Sequence, residues 1–434
     1  MEIKYPICCG IDVHKSFIVA VIVKSDSIKP QYLKKRFSTF HNQLIQFRDW
    51  LLENNCDNVC MESTGKYYVP VYNVLEDYIS NIVVSNPKWV RAIKGEKDDN
   101  KDAKWIADLF KFGIVRSSFI PSKEFRILRE LCRYQFKLTN VRSSEKNRYQ
   151  NSLTVGNCKV DMAFSDVFGK SASSIIDIIL SNNEYSDEDI LKNVHGRCKA
   201  SNEEILDAVR GSEFSEAHKI KIGIVKSHMD YVTGLLNQLG NVIDELVKPY
   251  ESYITLLKTI PGMSRKSAII TLSEISTDMS QFSCPEQLAK WAGLAPGSNE
   301  SAGKKKSRSI TKAGVYLKPC LVEVAHAAIK DKQNTYFSTK YKQISKRRGK
   351  KRAIIAIARK ILVSIYHMIK TGATFNPTDL NRTVRSEEEK VKETKHNIKR
   401  QAKQLFNCGI SKEDILQIIS ESLVVQEPQP PLIE

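Results

Sequence analysis

Nowhere in the 434 residues do eighteen apolar residues run together, so no membrane-spanning helix is expected. The opening stretch, Met1 to Lys15, lacks the basic start, apolar run and small-residue cleavage site of a secretory signal. Ten cysteines are scattered without a Cys-x-x-Cys pair or paired histidine spacing. That pattern argues against zinc, because a structural site needs about four ligands. Cys56 and Cys60 read instead as part of a helix-to-strand connection. A cytoplasmic protein with free thiols is expected. Acidic residues are nearly missing from one long stretch. Residues 301–370 hold 19 Lys or Arg against only Glu323 and Asp331, a net of +17 in a chain whose total is +18. A surface that basic favours a polyanion, since releasing condensed counterions from phosphates drives binding. A merely soluble surface would mix both signs. The predicted partner is nucleic acid.

What is present suffices for several domains. The 41% hydrophobic fraction is ordinary for globular chains, and 434 residues suggest about two to four domains. Residues 6–115 read as α/β. The short β-branched runs Ile7–Ile11 and Phe17–Val23 predict strands, with a third near Lys35–Thr39. Leu44, Phe47, Leu51 and Leu52 recur at helical spacing. Asn58–Glu62 reads as a strand, Tyr68–Leu75 as a helix, Ile82–Val84 as a strand, and Lys101–Phe112 as a helix with one buried face. Residues 121–150 form a helical arm, and a second long helix is expected from Glu216 to Leu257, interrupted or kinked at Pro249. The pair reads either as an antiparallel coiled coil or as helices packed on their own domain. Residues 258–370 predict a compact lysine-rich helical domain, and the Pro-rich end predicts a disordered or weakly docked tail.

Four acids stand where chemistry is plausible. Asp12 follows the first strand, Glu62 ends a later one, and Asp99 and Asp102, three apart, share one face of a helix start. Carboxylates delivered from strand ends and a helix start suit Mg²⁺, a hard cation, and two such ions about 4 Å apart can stabilise attacking and leaving phosphate oxygens. Each acid alone also fits a plainer role: Asp12 a turn residue, Glu62 a strand-end charge, Asp98, Asp99 and Asp102 a solvated helix start favoured by the dipole.

Three segments, in order, resemble the motifs of the DEDD transposases, an insertion-sequence family. They are Gly10-Ile11-Asp12-Val13-His14-Lys15, Met61-Glu62-Ser63-Thr64-Gly65-Lys66-Tyr67-Tyr68 and Lys97-Asp98-Asp99-Asn100-Lys101-Asp102-Ala103-Lys104. In the family's pattern the four acids fall on Asp12, Glu62, Asp99 and Asp102, and Asp98 stands where threonine is usual. Farther along, Gly293-Leu294-Ala295-Pro296 with Ser301-Ala302-Gly303 resembles the family's Gly-Leu-x-Pro…Ser-x-Gly segment, which puts Ser301 at the nucleophile position. Ile260-Pro261-Gly262-Met263-Ser264 resembles a helix–hairpin–helix that binds DNA backbone, with Ser264 where glycine is usual.

The resemblance implies a RuvC-like, RNase H-like mixed sheet with helices in residues 1–118. It is followed by a helical, coiled-coil linker region with an insert (119–254), a small, mostly α-helical basic transposase domain carrying the serine (255–372) and a charged tail (373–434). It also implies an activity: a DNA transposase or recombinase that cleaves and exchanges strands with Mg²⁺, two ions per site, through a covalent phosphoserine. The implied partners are element-end and target DNA, a structured bridge RNA and further copies of the chain in a dimer or tetramer. The implied setting is the nucleoid of a bacterial or archaeal cell. The alternative is a structure-specific RuvC-like endonuclease, a junction resolvase in which metal-activated water attacks. In either case Lys304, Lys305, Lys306, Arg308, Arg347 and Arg348 are the expected phosphate contacts.

Overall fold

The computed structural model describes residues 2–25, 29–63, 65–90, 99–181, 185–297, 300–301, 304–305, 309–377, 387–414 and 416–417. The chain divides into two compact units, Met1–Ile127 and Leu128–Glu434.

In the first unit five strands form one mixed sheet in the order β3-β2-β1-β4-β5. Strands β1 (Ile7–Val13), β2 (Phe17–Lys24) and β3 (Gln31–Ser38) pair antiparallel, and β4 (Asn58–Glu62) and β5 (Asn81–Ser85) continue from β1 in parallel. The helices are α1 (His41–Glu53), α2 (Tyr68–Leu75), the single turn α3 (Pro87–Val90) and α4 (Asp99–Lys111). Helices cover both faces, so the central strands β1, β2 and β4 are largely apolar. Cys9, Ile11, Ile18, Ile22, Val59 and Met61 pack beneath Leu44, Phe47 and Leu51 of α1 and Val71 and Leu75 of α2. On the other face Cys8, Val23 and Cys60 meet Ile106, Ala107 and Phe110 of α4, while Val19 and Val21 meet Ala103.

The periodicity placed β4 and α2 to the residue. It placed only the end of β3, because Gln31, Lys34, Lys35 and Arg36 on this edge strand are exposed and break the apolar alternation.

Gly10 fixes how closely α4 approaches. A Cβ there would stand 2.9 Å from the Ala107 Cα and nearer still to Ala107 N and Ala103 O. Backbone rather than a movable side chain would have to yield. Gly10→Ala is therefore expected to cost about 1–3 kcal/mol, the range for overpacked cores. A lowered denaturation midpoint at unchanged slope is the expected reading; an unshifted midpoint would contradict this packing.

In the second unit α5 (Lys123–Val155), from Leu128 onward, and α10 (Glu216–Leu246) run antiparallel. Leu138 packs on Val232 and Leu236, and farther along Glu145 pairs with His228 at 3.1 Å. The second long helix is interrupted at Pro249, as expected. It ends at Leu246, and Pro249 lies in a 3-10 turn, Lys248–Tyr250, before α11 (Glu251–Lys258). Between the long helices lie α6 (Val160–Ala163), α7 (Lys170–Ser181), α8 (Asp187–Leu191) and α9 (Asn202–Val209). Their core joins Ile175, Ile176, Ile190 and Ile205 to Tyr149 and Leu153 of α5 and Ile222 of α10.

The remaining helices are α12 (Arg265–Ile275), α13 (Pro285–Trp291), α14 (Leu317–Ala328), α15 (Tyr336–Arg348), α16 (Lys350–Thr371) and α17 (Glu387–Asn407). The apolar stripe of α16, including Ile357, Ile361 and Ile365, is buried, and α13, α14 and α15 pack around the helix. Arg133 of α5 grips the buried Glu274 of α12 with two hydrogen bonds of 2.6 and 2.8 Å.

Candidate active site

Strand alternation places two of the predicted acids together. On β1, Cys8 faces α4, and Gly10 and Asp12 follow at two-residue steps; on β4, Cys60 faces α4 and Glu62 follows. The last paired residues of these parallel neighbours are Ile11 and Met61, so Asp12 and Glu62 stand side by side just past them. The two carboxylates share one face and one end of the sheet.

Helix α4 brings the rest. The Cys8 thiol lies 3.7 Å from the Ala107 carbonyl, and Lys4 and Tyr5, before β1, donate backbone hydrogen bonds to the Lys111 carbonyl at 2.8 and 3.0 Å. Val19, opposite Asp12 in the ladder, packs on Ala103. The helix therefore runs antiparallel to β1 and opens, at Asp99 and Asp102, over the end that carries Asp12 and Glu62. Asp102 is half-buried; Asp99 is described by its backbone alone, and Asp98 lies outside the described residues.

Asp12 has a partner that motif spacing did not single out. His14 Nε2 lies 3.0 Å from Asp12 Oδ2, and the imidazole rests against the Phe17 ring, with centroids 4.5 Å apart. The signal was available: a histidine two residues beyond a strand-end aspartate, in the turn to a strand that starts with an aromatic. The carboxylate side chain is only 13% exposed.

Oxygen donors of this kind suit a hard divalent cation better than a soft one. Among the described residues no three His, Cys, Asp or Glu stand close enough to hold an ion together. Asp12 and Glu62 share one face and one end of the sheet and offer oxygen donors of the type a hard divalent ion takes. The nearby thiols are unsuited to the task. All ten cysteines are free, and burial pushes the Cys60 thiol up to about 12 and the Cys9 thiol well above its ordinary value.

The second unit holds the other predicted residues. Ser301 lies on β6 (Glu300–Ser301), which pairs antiparallel with β7 (Lys304–Lys305), putting Ser301 opposite Lys304 and Glu300 opposite Lys305. The side chains of Ser301, Lys304 and Lys305, and all of Lys306 and Arg308, lie outside the described residues. Arg347 and Arg348 are exposed in the last turn of α15.

The segment read as a hairpin joins α11 to α12. Gly262, at φ +80°, brings the turn against α14, where a Cβ would be 2.5 Å from Ala328 N and 2.7 Å from Val324 O. Ser264, standing where a second glycine is usual, caps α12 by accepting a 3.1 Å hydrogen bond from Ser267 N–H.

No curated protein matches this chain. Residues 9–156 match the family model of the DEDD transposases of IS110, and residues 254–342 match the model described as Transposase IS116/IS110/IS902 family. The first match contains Asp12, Glu62, Asp99 and Asp102; the second contains Ser301, the α11–α12 hairpin and most of the basic stretch. Two models of one family, in order and spanning both units, establish that the chain belongs to the IS110 family of insertion-sequence transposases.

Proposed function

We propose that the Asp12 end of the sheet is a magnesium-dependent site of DNA strand cleavage, and that Ser301 is the nucleophile that keeps the cleaved strand attached to the protein. The observation carrying this reading is the shared face and shared end of Asp12 and Glu62 beneath the start of α4. The mixed sheet, two antiparallel hairpins followed by parallel crossovers, suits the RuvC-like fold that the reading assumes. Asp12, Glu62, Asp99 and Asp102 would hold the ion or pair of ions. Bound magnesium would supply positive charge for the attacking and leaving phosphate oxygens.

The chain's own residues do the rest. His14 restrains Asp12 through one carboxylate oxygen. The Ser301 hydroxyl loses its proton and attacks phosphorus. The Oγ–P bond forms as one sugar-oxygen bond to phosphorus breaks, and that oxygen departs as a hydroxyl. Attack by a hydroxyl of another strand reverses the step, so strands are exchanged without an external energy source. The reading requires Ser301 to reach the carboxylates, from the same chain or from another copy in a dimer or tetramer. A guide RNA pairing with element and target DNA would be the second polyanion on the basic segment.

Incubation with element-end DNA and Mg²⁺ tests the reading. A DNA–protein adduct that survives denaturant is expected; nicked DNA without an adduct would favour the water-using resolvase. The basic segment has its own test. Replacing Lys304, Lys305 and Lys306 with Gln should weaken binding to all DNA sequences alike and flatten the slope of log affinity against log salt by up to about three. An unchanged slope would move the footprint elsewhere, for instance to Arg347 and Arg348.

A further inference from the structure

We infer that Lys34 and Arg36 on β3, with Phe40 just beyond, form a track along which a single strand of nucleic acid lies beside the carboxylate end of the sheet. The track rests on the proposed reading of that end as a cleavage site.

Alternation along β3 separates its three consecutive cations. Leu33 and Phe37 belong to the core under α1 and α2, and so mark the side shared by Lys35. Tyr32 packs against the α4 side, which Lys34 and Arg36 therefore share with Asp12 and Glu62. In register, Arg36 lies opposite Val19, and Val19 opposite Asp12. Two strand spacings put the Arg36 and Asp12 backbones about 10 Å apart, within reach of neighbouring phosphates on one strand.

Arg36 is exposed, yet not loose. Its guanidinium carbon sits 3.7 Å from the Phe17 ring centroid, and Phe17 in turn abuts His14, the partner of Asp12. A stacked guanidinium keeps its N–H fork available to phosphate while giving up less freedom on binding. Lys104 of α4, 4.3 Å from the Tyr32 ring, adds a cation on that side. The acid beside it, Asp108, is engaged by Tyr32 and Lys111 at 2.9 and 2.7 Å. Beyond the strand, Phe40 is 77% exposed, a ring on which a base can stack.

Cations on an edge strand also deter pairing with another sheet. That role would make Lys34, Lys35 and Arg36 equivalent, whereas the track splits them by face. The test uses the full chain in EDTA and a labelled mixed-sequence single strand of about 20 nucleotides, read by anisotropy across a salt series. Lys34→Gln with Arg36→Gln should flatten the salt slope by about 1.4, some 0.7 for each single-strand phosphate contact. Phe40→Ala should weaken binding by about fivefold or more without changing the slope, as lost stacking does. Lys35→Gln should change neither. An unchanged slope in the double variant, or an equal change in Lys35→Gln, overturns the track, and an unchanged affinity in Phe40→Ala removes the stacking platform. No cleavage enters this readout, so its failure leaves the carboxylate site standing. Normal cleavage by an Asp12→Ala protein would instead remove the site while leaving the binding result intact.

Discussion

Asp12→Ala protein is expected to cleave DNA at least about a thousandfold more slowly than wild type, since a lost metal ligand forfeits several kcal/mol of charge stabilisation and each 1.36 kcal/mol is tenfold in rate. Glu62→Ala and Asp102→Ala should behave alike. The fold should survive. Asp12 lies past the last pairing of β1 with β4, and the apolar residues that hold the sheet between its helix layers are untouched. In the proposed cluster, removing one carboxylate also relieves repulsion, so stability without metal should stay level or rise. Added Mg²⁺ should raise the melting temperature of wild type and raise that of the variants less, because only the state that binds the ion is stabilised. Nucleic-acid binding through the basic segment should be retained. Normal cleavage by Asp12→Ala would remove the assignment.

Ser301→Ala should abolish strand exchange while leaving metal and nucleic-acid binding intact, because neither the carboxylates nor the lysines change. The serine is the one group in this account that conserves the phosphodiester bond energy, so the predicted loss is complete. Ser301→Cys should retain at most slight activity, since a thiolate is a good nucleophile but a poor neighbour for a hard ion. Ser298, Ser307 and Ser309 are the internal controls, and their alanine variants should recombine. A fully active Ser301→Ala would pass the role of nucleophile to water.

The sequence was most readable where one physical signal dominated. β4 and α2 were placed to the residue because a short apolar run between Asn58 and Glu62 and an apolar helical spacing through Val71 and Leu75 stand out there. The start of β3 was missed because an exposed edge strand has a polar pattern resembling a loop. The four-helix insert between the long helices was unreadable for a different reason. Its helices run only 4–12 residues, and its core is completed by Tyr149 and Ile222 from outside it, so the apolar spacing of α7 does not by itself show what that helix packs against. At the site, spacing alone could not separate Asp12 from a turn residue. What bears on its role is tertiary: the alternation of β1 and β4 that sets Asp12 beside Glu62 beneath one helix, and the closeness that Gly10 permits. His14 stood two residues beyond the strand-end aspartate, but its pairing with Asp12 depends on how the chain turns into β2.

Peptide mapping of a stalled reaction tests the central claim most directly. Wild-type protein, Mg²⁺ and element-end DNA would be quenched in denaturant, digested with nuclease and protease, and analysed by mass spectrometry. The account predicts a nucleotide adduct on the peptide containing Ser301, absent when Mg²⁺ is withheld and absent from the Asp12→Ala protein. Cleaved DNA with that peptide unmodified, or an adduct on another residue, would contradict it.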